Sequence, residues 1–352
     1  VSSATGSSGK KGESKSGLQL DTHYYSTMTL GNDSKCTYAR VASRVKVVKE
    51  RIFSMAFHPS VHTPLVVAGD KWGQVGFLDL REGIEENQRS FSISPHGRPV
   101  SSLAHTSDGQ KLFSSSYDGT VRCFDYNTGI FDLVYENEDE SFSHLSLSSD
   151  NSKLYVAGRH GDIYVLDPSN VIGAGDKGKP PLQLDLHDRK IATVHAHPSD
   201  VNIFVTASND QTVKVWDIRK IVRCKPVHML RHTLAVTGAY YAPTSPHTIV
   251  TTCNDNLIRF WTPQSKDSRV VQVKHNNNTG RYITNFRAVW DPKSSAILIG
   301  NMNKKVDVYD PEGNALASLS HELCSAIPAI NEAHPSLPII ASGNGSGYIN
   351  VW

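Results

Sequence analysis

One stretch constrains this chain more than any other: Ser208-Asn209-Asp210-Gln211-Thr212-Val213-Lys214-Val215-Trp216-Asp217-Ile218-Arg219. A polar tip leads into an alternating strand that ends on an aromatic residue. Two other segments lie over it without gaps, Ser116-Tyr117-Asp118-Gly119-Thr120-Val121-Arg122-Cys123-Phe124-Asp125 and Cys253-Asn254-Asp255-Asn256-Leu257-Ile258-Arg259-Phe260-Trp261. In each, an Asp stands six residues before the aromatic: Asp210 before Trp216, Asp118 before Phe124, Asp255 before Trp261. A short turn-and-strand unit of this kind cannot bury its own faces, so its copies must stack on one another.

Aligning the chain on Trp216 picks out Leu78, Phe124, Leu166, Trp216, Trp261, Tyr309 and Trp352, with steps of 46, 42, 50, 45, 48 and 43 residues. The steps lie close to the roughly 40–45 residues of a four-stranded propeller blade. A second register agrees. His58-Pro59-Ser60, His197-Pro198-Ser199 and His334-Pro335-Ser336 end apolar runs 139 and 137 residues apart, three blades each, and Trp290-Asp291-Pro292 takes that slot in blade six. From Val41 onward, short β-branched runs alternate with Gly, Asn, Asp and Pro turns, which is strand punctuation. The expected fold is all-β, a seven-bladed β-propeller over residues 41–352. Blade seven lacks a strand after Trp352, so Val41–Val48 is expected to supply its outer strand and close the ring, removing exposed sheet edges. Residues 1–40 are expected to be a mostly disordered extension, with Ser, Gly and Lys dominating 1–20.

Composition narrows the function classes. No apolar run approaches the roughly 18 residues of a membrane span. There is no signal-peptide pattern, and Val1 reads as a start within a longer protein. Five cysteines, with no C-x-x-C spacing, fit neither a disulfide framework nor a zinc site. The chain is therefore expected inside the cell, where Asn32-Asp33-Ser34, Asn277-Asn278-Thr279 and Asn344-Gly345-Ser346 carry no glycan. A net charge of +2 means that any nucleic-acid site must be a local patch.

Several motifs resemble chemistry but read better as scaffold. His187, Thr206 or Ser208, Asp210 and Trp216 can form a buried polar chain in blade four, and His232, Thr252, Asp255 and Trp261 in blade five. Blade two has His96 and Asp118 but Phe124, so its chain should be shorter. Residues that recur at the repeat period brace the repeat; an active site has no reason to recur. Gly173-Ala174-Gly175-Asp176-Lys177-Gly178 matches G-x-G-x-x-G, but Lys179-Pro180-Pro181 forbids the helix such a site needs. His195 and His197 could pair on a metal, yet no third ligand follows. No nucleophile elbow or Walker motif is present. No catalytic activity, cofactor or metal is expected.

The tip slots are more informative. Where Asp210 stands in blade four, other blades hold Trp72, His160, Asn303 and Ser346, side chains released from bracing. Just before that slot come Lys71, Tyr117 and Arg159, while Arg51 and Lys190 lead into inner strands. One face should therefore gather Arg51, Lys71, Arg159, Arg189, Lys190 and Arg281, interleaved with Trp72, Tyr117, His160 and Tyr282. Cations beside aromatic surfaces suit a nucleic-acid backbone with an exposed base. A scaffold reading a peptide, such as a histone tail, is the alternative.

The Trp-Asp-x-Arg end of the opening stretch resembles the WD repeat. Arg51-Ile-Phe-Ser-Met-Ala-Phe-His58-Pro59, Val67-Ala-Gly-Asp-Lys-Trp-Gly73 and Thr279-Gly-Arg-Tyr-Ile-Thr-Asn-Phe-Arg-Ala-Val-Trp-Asp-Pro292 resemble the WD-repeat protein 76 family, over about residues 41–352. That family is related to the small subunit of the UV-damaged-DNA-binding complex. The resemblance implies a nuclear DNA-binding propeller (with some cytoplasmic presence) linked to DNA damage and chromatin proteins. It implies in addition a substrate receptor of a cullin–RING ubiquitin ligase, docked through the ligase's propeller adaptor. Arg51, Lys71 and Lys190 match positions that hold DNA phosphates in the damage-binding relative. Gly280-Arg281-Tyr282 sits where that relative inserts an aromatic-led hairpin, although Gly280 replaces the leading aromatic. Asp217-Ile218-Arg219 matches the adaptor-docking box, and Asp79-Leu80-Arg81 is a second match.

Overall fold

The computed structural model describes residues 43–85, 88–170, 181–223, 225–263, 268–293 and 295–352. The extension at 1–40 and the Gly173–Gly178 segment lie outside them. Seven antiparallel four-stranded sheets follow one another along the chain. Blade four is typical: Ile191–Ala196, Ile203–Ser208, Thr212–Asp217 and His228–Arg231, from the inside outward. Blade seven takes Pro328–Ala333, Ile340–Asn344 and Tyr348–Val351 from the end of the chain and Ser43–Lys46 from its beginning, with Ser43 opposite Val351 and Lys46 opposite Tyr348. Among the described residues no helix is long and apolar enough to cross a membrane.

Closure follows from burial. A blade is apolar on both faces, so each must be covered by a neighbour. Seven apolar clusters do this, one between each adjacent pair. The cluster joining blade one to blade seven holds Ile52, Met55, Val66, Ile330 and Ile349, with Val47 and Val48 at its edge. The residues aligned on Trp216 occupy one structural position: Leu78 faces Val66, Phe124 faces Leu112, Trp216 faces Phe204, Trp261 faces Ile249 and Tyr309 faces Ile297. Trp216 and Trp261 are fully buried, a burial that removes roughly 2–3 kcal/mol of apolar exposure per large side chain.

The turns between second and third strands share one backbone requirement. Gly73, Gly119, Gly161, Gln211, Asn256, Lys304 and Gly347 all have positive φ and all fall at the same repeat position. Four are Gly for a further reason. A Cβ on Gly161 would lie 1.8 Å from the His187 carbonyl oxygen, and one on Gly347 2.1 Å from that of Val48. Each of these turns presses on the chain leading into the next blade.

The bracing partly departs from the expected pattern. In blade four Trp216 Nε1–H donates to Thr206 Oγ1 (2.8 Å), Thr206 meets His187 Nε2 (2.6 Å), and His187 Nδ1 meets Asp210 (2.7 Å). Thr206 is the member, not Ser208, whose hydroxyl donates to the Arg189 and Lys190 carbonyls. In blade two the chain ends where Phe124 offers no donor: His96 joins Asp118 (3.3 Å) and Ser114 (2.8 Å). The expected blade-five chain is not formed. Buried Arg259 donates to His232 Nδ1 (2.9 Å) and Asp255 (2.6 Å), Thr252 accepts from the Ala288 amide, and Trp261 Nε1 has no partner. The guanidinium stands between His232 and Asp255, whose blade-four counterparts His187 and Asp210 meet directly. Blades one, six and seven, without an Asp at the tip, brace the turn from two residues earlier: Asp70, Asn301 and Asn344 accept the amides of Trp72, Asn303 and Ser346.

The His-Pro-Ser motifs are also structural. His197 Nδ1 accepts the Ser199 and Asp200 amides, and His334 Nδ1 those of Ser336 and Leu337. Asp291 does the same for Lys293. His195 Nδ1 accepts the Tyr241 amide instead, so His195 and His197 do not converge on a metal. Asn277 and Asn344 are buried, which removes them as glycan acceptors.

Candidate nucleic-acid interface

A repeated backbone bond builds the rim. In blades one, two and four the residue after the second strand donates its N–H to the residue leading into the first: Lys71 to Arg51 (3.0 Å), Tyr117 to Pro99 (3.1 Å) and Asn209 to Lys190 (3.0 Å). This bond sets Lys71 beside Arg51 at the tip end of blade one. The Arg51 guanidinium lies over the Phe53 ring (4.8 Å), and Phe53 meets Tyr117 edge-on (6.3 Å). The Lys190 ammonium lies over Tyr117 (4.7 Å) and donates to its hydroxyl (3.2 Å). Blades one, two and four are thereby linked in one run of alternating cations and rings. Lys71 lies over Trp72 (4.7 Å), whose ring remains 62% exposed.

Arg281 comes to this group from the connection between blades five and six. Asn277 anchors the connection by donating to the Cys253 carbonyl (2.8 Å), and Thr284 ties its far end to the Ile52 carbonyl (2.8 Å). In between, Gly280 turns with φ of +64°, the Arg281 carbonyl accepts from Arg51 (3.4 Å), and Tyr282 stands 82% exposed. Arg159 and His160 occupy the blade-three tip. That turn packs on the Arg189 backbone, since a Cβ on Gly161 would lie 3.2 Å from the Arg189 carbonyl oxygen. Among the described residues none of Arg51, Lys71, Arg159, Arg189, Lys190 and Arg281 is in an ion pair, whereas Arg81, Arg219 and Arg259 each are. Phe53 and exposed Arg98, the blade-two counterpart of Arg189, belong to the same tier and were not among the expected residues. Exposed Glu50 sits there too, the blade-one counterpart of Arg189, and dilutes the charge beside Arg51.

The Asp-x-Arg motifs lie at the other end of the same strands, about 20 Å away at roughly 3.3 Å per residue. Each arginine folds back on its own aspartate: Arg219 on Asp217 (2.9 Å) and Arg81 on Asp79 (2.6 Å). Arg219 also reaches Asp200 (3.4 Å), and its side chain stays 54% exposed.

Two further clusters resemble sites. His232, Cys253 and Asp255 bring possible ligand atoms within 4.8 Å of one another, but the Arg259 guanidinium already donates to His232 and Asp255. The central channel, about 520 Å³, holds His144, His195, Tyr240, Arg287 and Glu332. Burial pushes the Glu332 carboxyl up to about 8, opposed by Arg287, and burial also lowers both histidines. Arg287 crosses to the Ala192 carbonyl (3.5 Å) and Tyr240 to His144 (3.4 Å), so these side chains span the channel.

The pattern described as "WD domain, G-beta repeat" matches residues 87–125, 178–217 and 224–262. These are the blades that keep the tip aspartates Asp118, Asp210 and Asp255. The chain is 38% identical over 319 residues to WD repeat-containing protein 76 of Xenopus laevis, covering 87% of this chain and 54% of that protein. It is 35% identical over 317 residues to WD repeat-containing protein 76 of Mus musculus, covering 87% and 50%. The chain is a WD-repeat homologue of WD repeat-containing protein 76. It is also 30% identical over 351 positions to "DNA damage-binding protein CMR1" of Coccidioides immitis, covering 88% of this chain and 66% of that protein. The chain thus spans about half to two thirds of the length of these relatives.

Proposed function

We propose that this chain is a non-catalytic, nuclear DNA-binding propeller that acts in the DNA damage response on chromatin, with the tip-side rim as its DNA site. One observation carries the reading: among the described residues none of the six rim cations is in an ion pair, and Arg51, Lys71 and Lys190 lie over aromatic rings. Left unpaired, such charges are free to displace counterions from phosphates. The aromatic faces nearest the channel already carry Arg51 and Lys190 of the chain itself, which counts against a cage for a cationic histone side chain. Exposed Tyr282 and Trp72 remain for base contact where stacking is weakened. The name DNA damage-binding protein, given to relatives, supports the same reading.

The opposite face is the proposed dock for the propeller adaptor of a cullin–RING ubiquitin ligase, through Asp217, Arg219, Asp79 and Arg81. Two equivalent, half-exposed arginines held rigid by their own aspartates suit a partner surface. The test of the DNA reading is fluorescence anisotropy with a labelled duplex at several salt concentrations, comparing intact, UV-treated and hydroxymethylated DNA. A log affinity that falls with log salt at a slope of about −3 or steeper is expected. A flat salt response, or no binding to any duplex, would remove it.

A further inference from the structure

Blade three lacks both devices that hold the other tips. Its slots contain Gly158 and His160, so neither an Asp nor an Asn is there to accept the turn amides. A carboxylate from outside the blade takes over. Glu140, buried at 5% exposure in the link from blade two, accepts the Arg159 N–H (2.8 Å) and the Ser141 N–H (2.8 Å) on one oxygen, and the Tyr164 hydroxyl (3.3 Å) on the other. Gly158 is required for this approach, because a Cβ there would sit 2.8 Å from the Glu140 carboxylate. The neighbouring Ser141 hydroxyl donates to the Tyr117 carbonyl (3.1 Å), so the same link also fixes the residue on which Lys190 rests.

We infer that Glu140 is the positioning residue of the rim between blades two and four, holding the Arg159 turn and the Tyr117–Lys190 pair where a nucleic-acid backbone meets them. It acts through main-chain amides, which leaves the Arg159 guanidinium unspent. This inference rests on the DNA reading above, and the test separates the two.

Hydrogen exchange of the folded chain comes first. Glu140→Ala should raise exchange at the Arg159 and Ser141 amides, and Glu140→Gln, which keeps the accepting oxygen, should restore protection. Salt-dependent DNA affinity comes second. Arg159→Ala should lower the log–log salt slope by about 1, the loss of one phosphate contact. Glu140→Ala should lower it by at least as much, since the same link also holds the Tyr117–Lys190 pair. The double variant should lose no more than Glu140→Ala alone, because the effect of Arg159 is already included. Combination with Arg51→Ala should multiply the losses. A folded Glu140→Ala protein with unchanged exchange and unchanged affinity overturns the inference, as does full additivity with Arg159→Ala. Wild-type protein that binds no DNA overturns the nucleic-acid reading instead, and the exchange result still decides whether Glu140 holds the turn.

Discussion

Thr206→Val tests the bracing of blade four at a single atom. Valine nearly matches threonine in shape, so packing against Phe204 and Trp216 is kept while the hydroxyl is lost. Two groups are then stranded in the interior: the Trp216 Nε1–H, which donated to Thr206 at 2.8 Å, and His187 Nε2, which met it at 2.6 Å. An unsatisfied buried polar group costs about 1–3 kcal/mol, so the expected loss for two is about 2–6 kcal/mol. For a domain of this size 1 kcal/mol moves Tm by about 2 °C, giving a fall of roughly 4–12 °C. Thr251→Val is the matched control. It occupies the same repeat position, opposite Arg259 as Thr206 is opposite Lys214, but Trp261 does not use it, and its hydroxyl reaches the Arg259 carbonyl at 3.4 Å. Its expected cost is about 0.5–1.5 kcal/mol. Urea midpoints and calorimetry would measure both. Equal losses in the two variants, or a loss below about 1 kcal/mol for Thr206→Val, would refute the assignment of Thr206 as the central link.

Other expectations follow from the same geometry. Burial holds His105 at about 3 and His195 at about 4, and burial beside Arg259 holds His232 at about 4. Folded values below the ordinary 6.5 mean stability that is complete above pH 6.5 and lost as pH falls, by about 1.4 kcal/mol per pH unit for each histidine. Urea midpoints should therefore drop steeply between pH 6.5 and 5, and a flat profile would contradict it. Arg259→Met leaves buried Asp255 and His232 facing each other without the guanidinium and should cost about 3–5 kcal/mol by denaturant titration. Gly161→Ala meets both a φ of +108° and the His187 carbonyl at 1.8 Å, and should cost more than the ~1–3 kcal/mol of backbone strain alone. Gly83→Ala, also at positive φ but in open space, should cost clearly less in the same thermal melts.

The ring was legible because its unit is short and its period strict. Leu78, Trp216 and Tyr309 share no chemistry beyond bulk, yet spacing alone assigns them one position, since each third strand begins after the same left-handed turn. The same register tells which end of a strand a residue takes, so Arg51, Lys71 and Lys190 could be placed on one side. What spacing cannot carry is a bond formed by a residue outside the pattern. Arg259 reads as an ordinary strand residue two places before Trp261, and only its burial shows it linking His232 to Asp255. Glu140 comes from a connection, and its role depends on the missing side chain of Gly158. The run from Arg51 through Phe53 to Tyr117 crosses blades, and Arg281 reaches it only because Thr284 ties a long connection to blade one.

Charge reversal of the rim probes the central claim most directly. Arg51→Glu, Lys71→Glu and Lys190→Glu combined should leave circular dichroism and the melting transition close to wild type, because among the described residues none of the three is in an ion pair. Anisotropy titration of this triple variant with the labelled duplex should show binding abolished at physiological salt, where the wild type still retains DNA. A folded triple variant that binds the duplex with wild-type affinity and wild-type salt dependence would contradict the account.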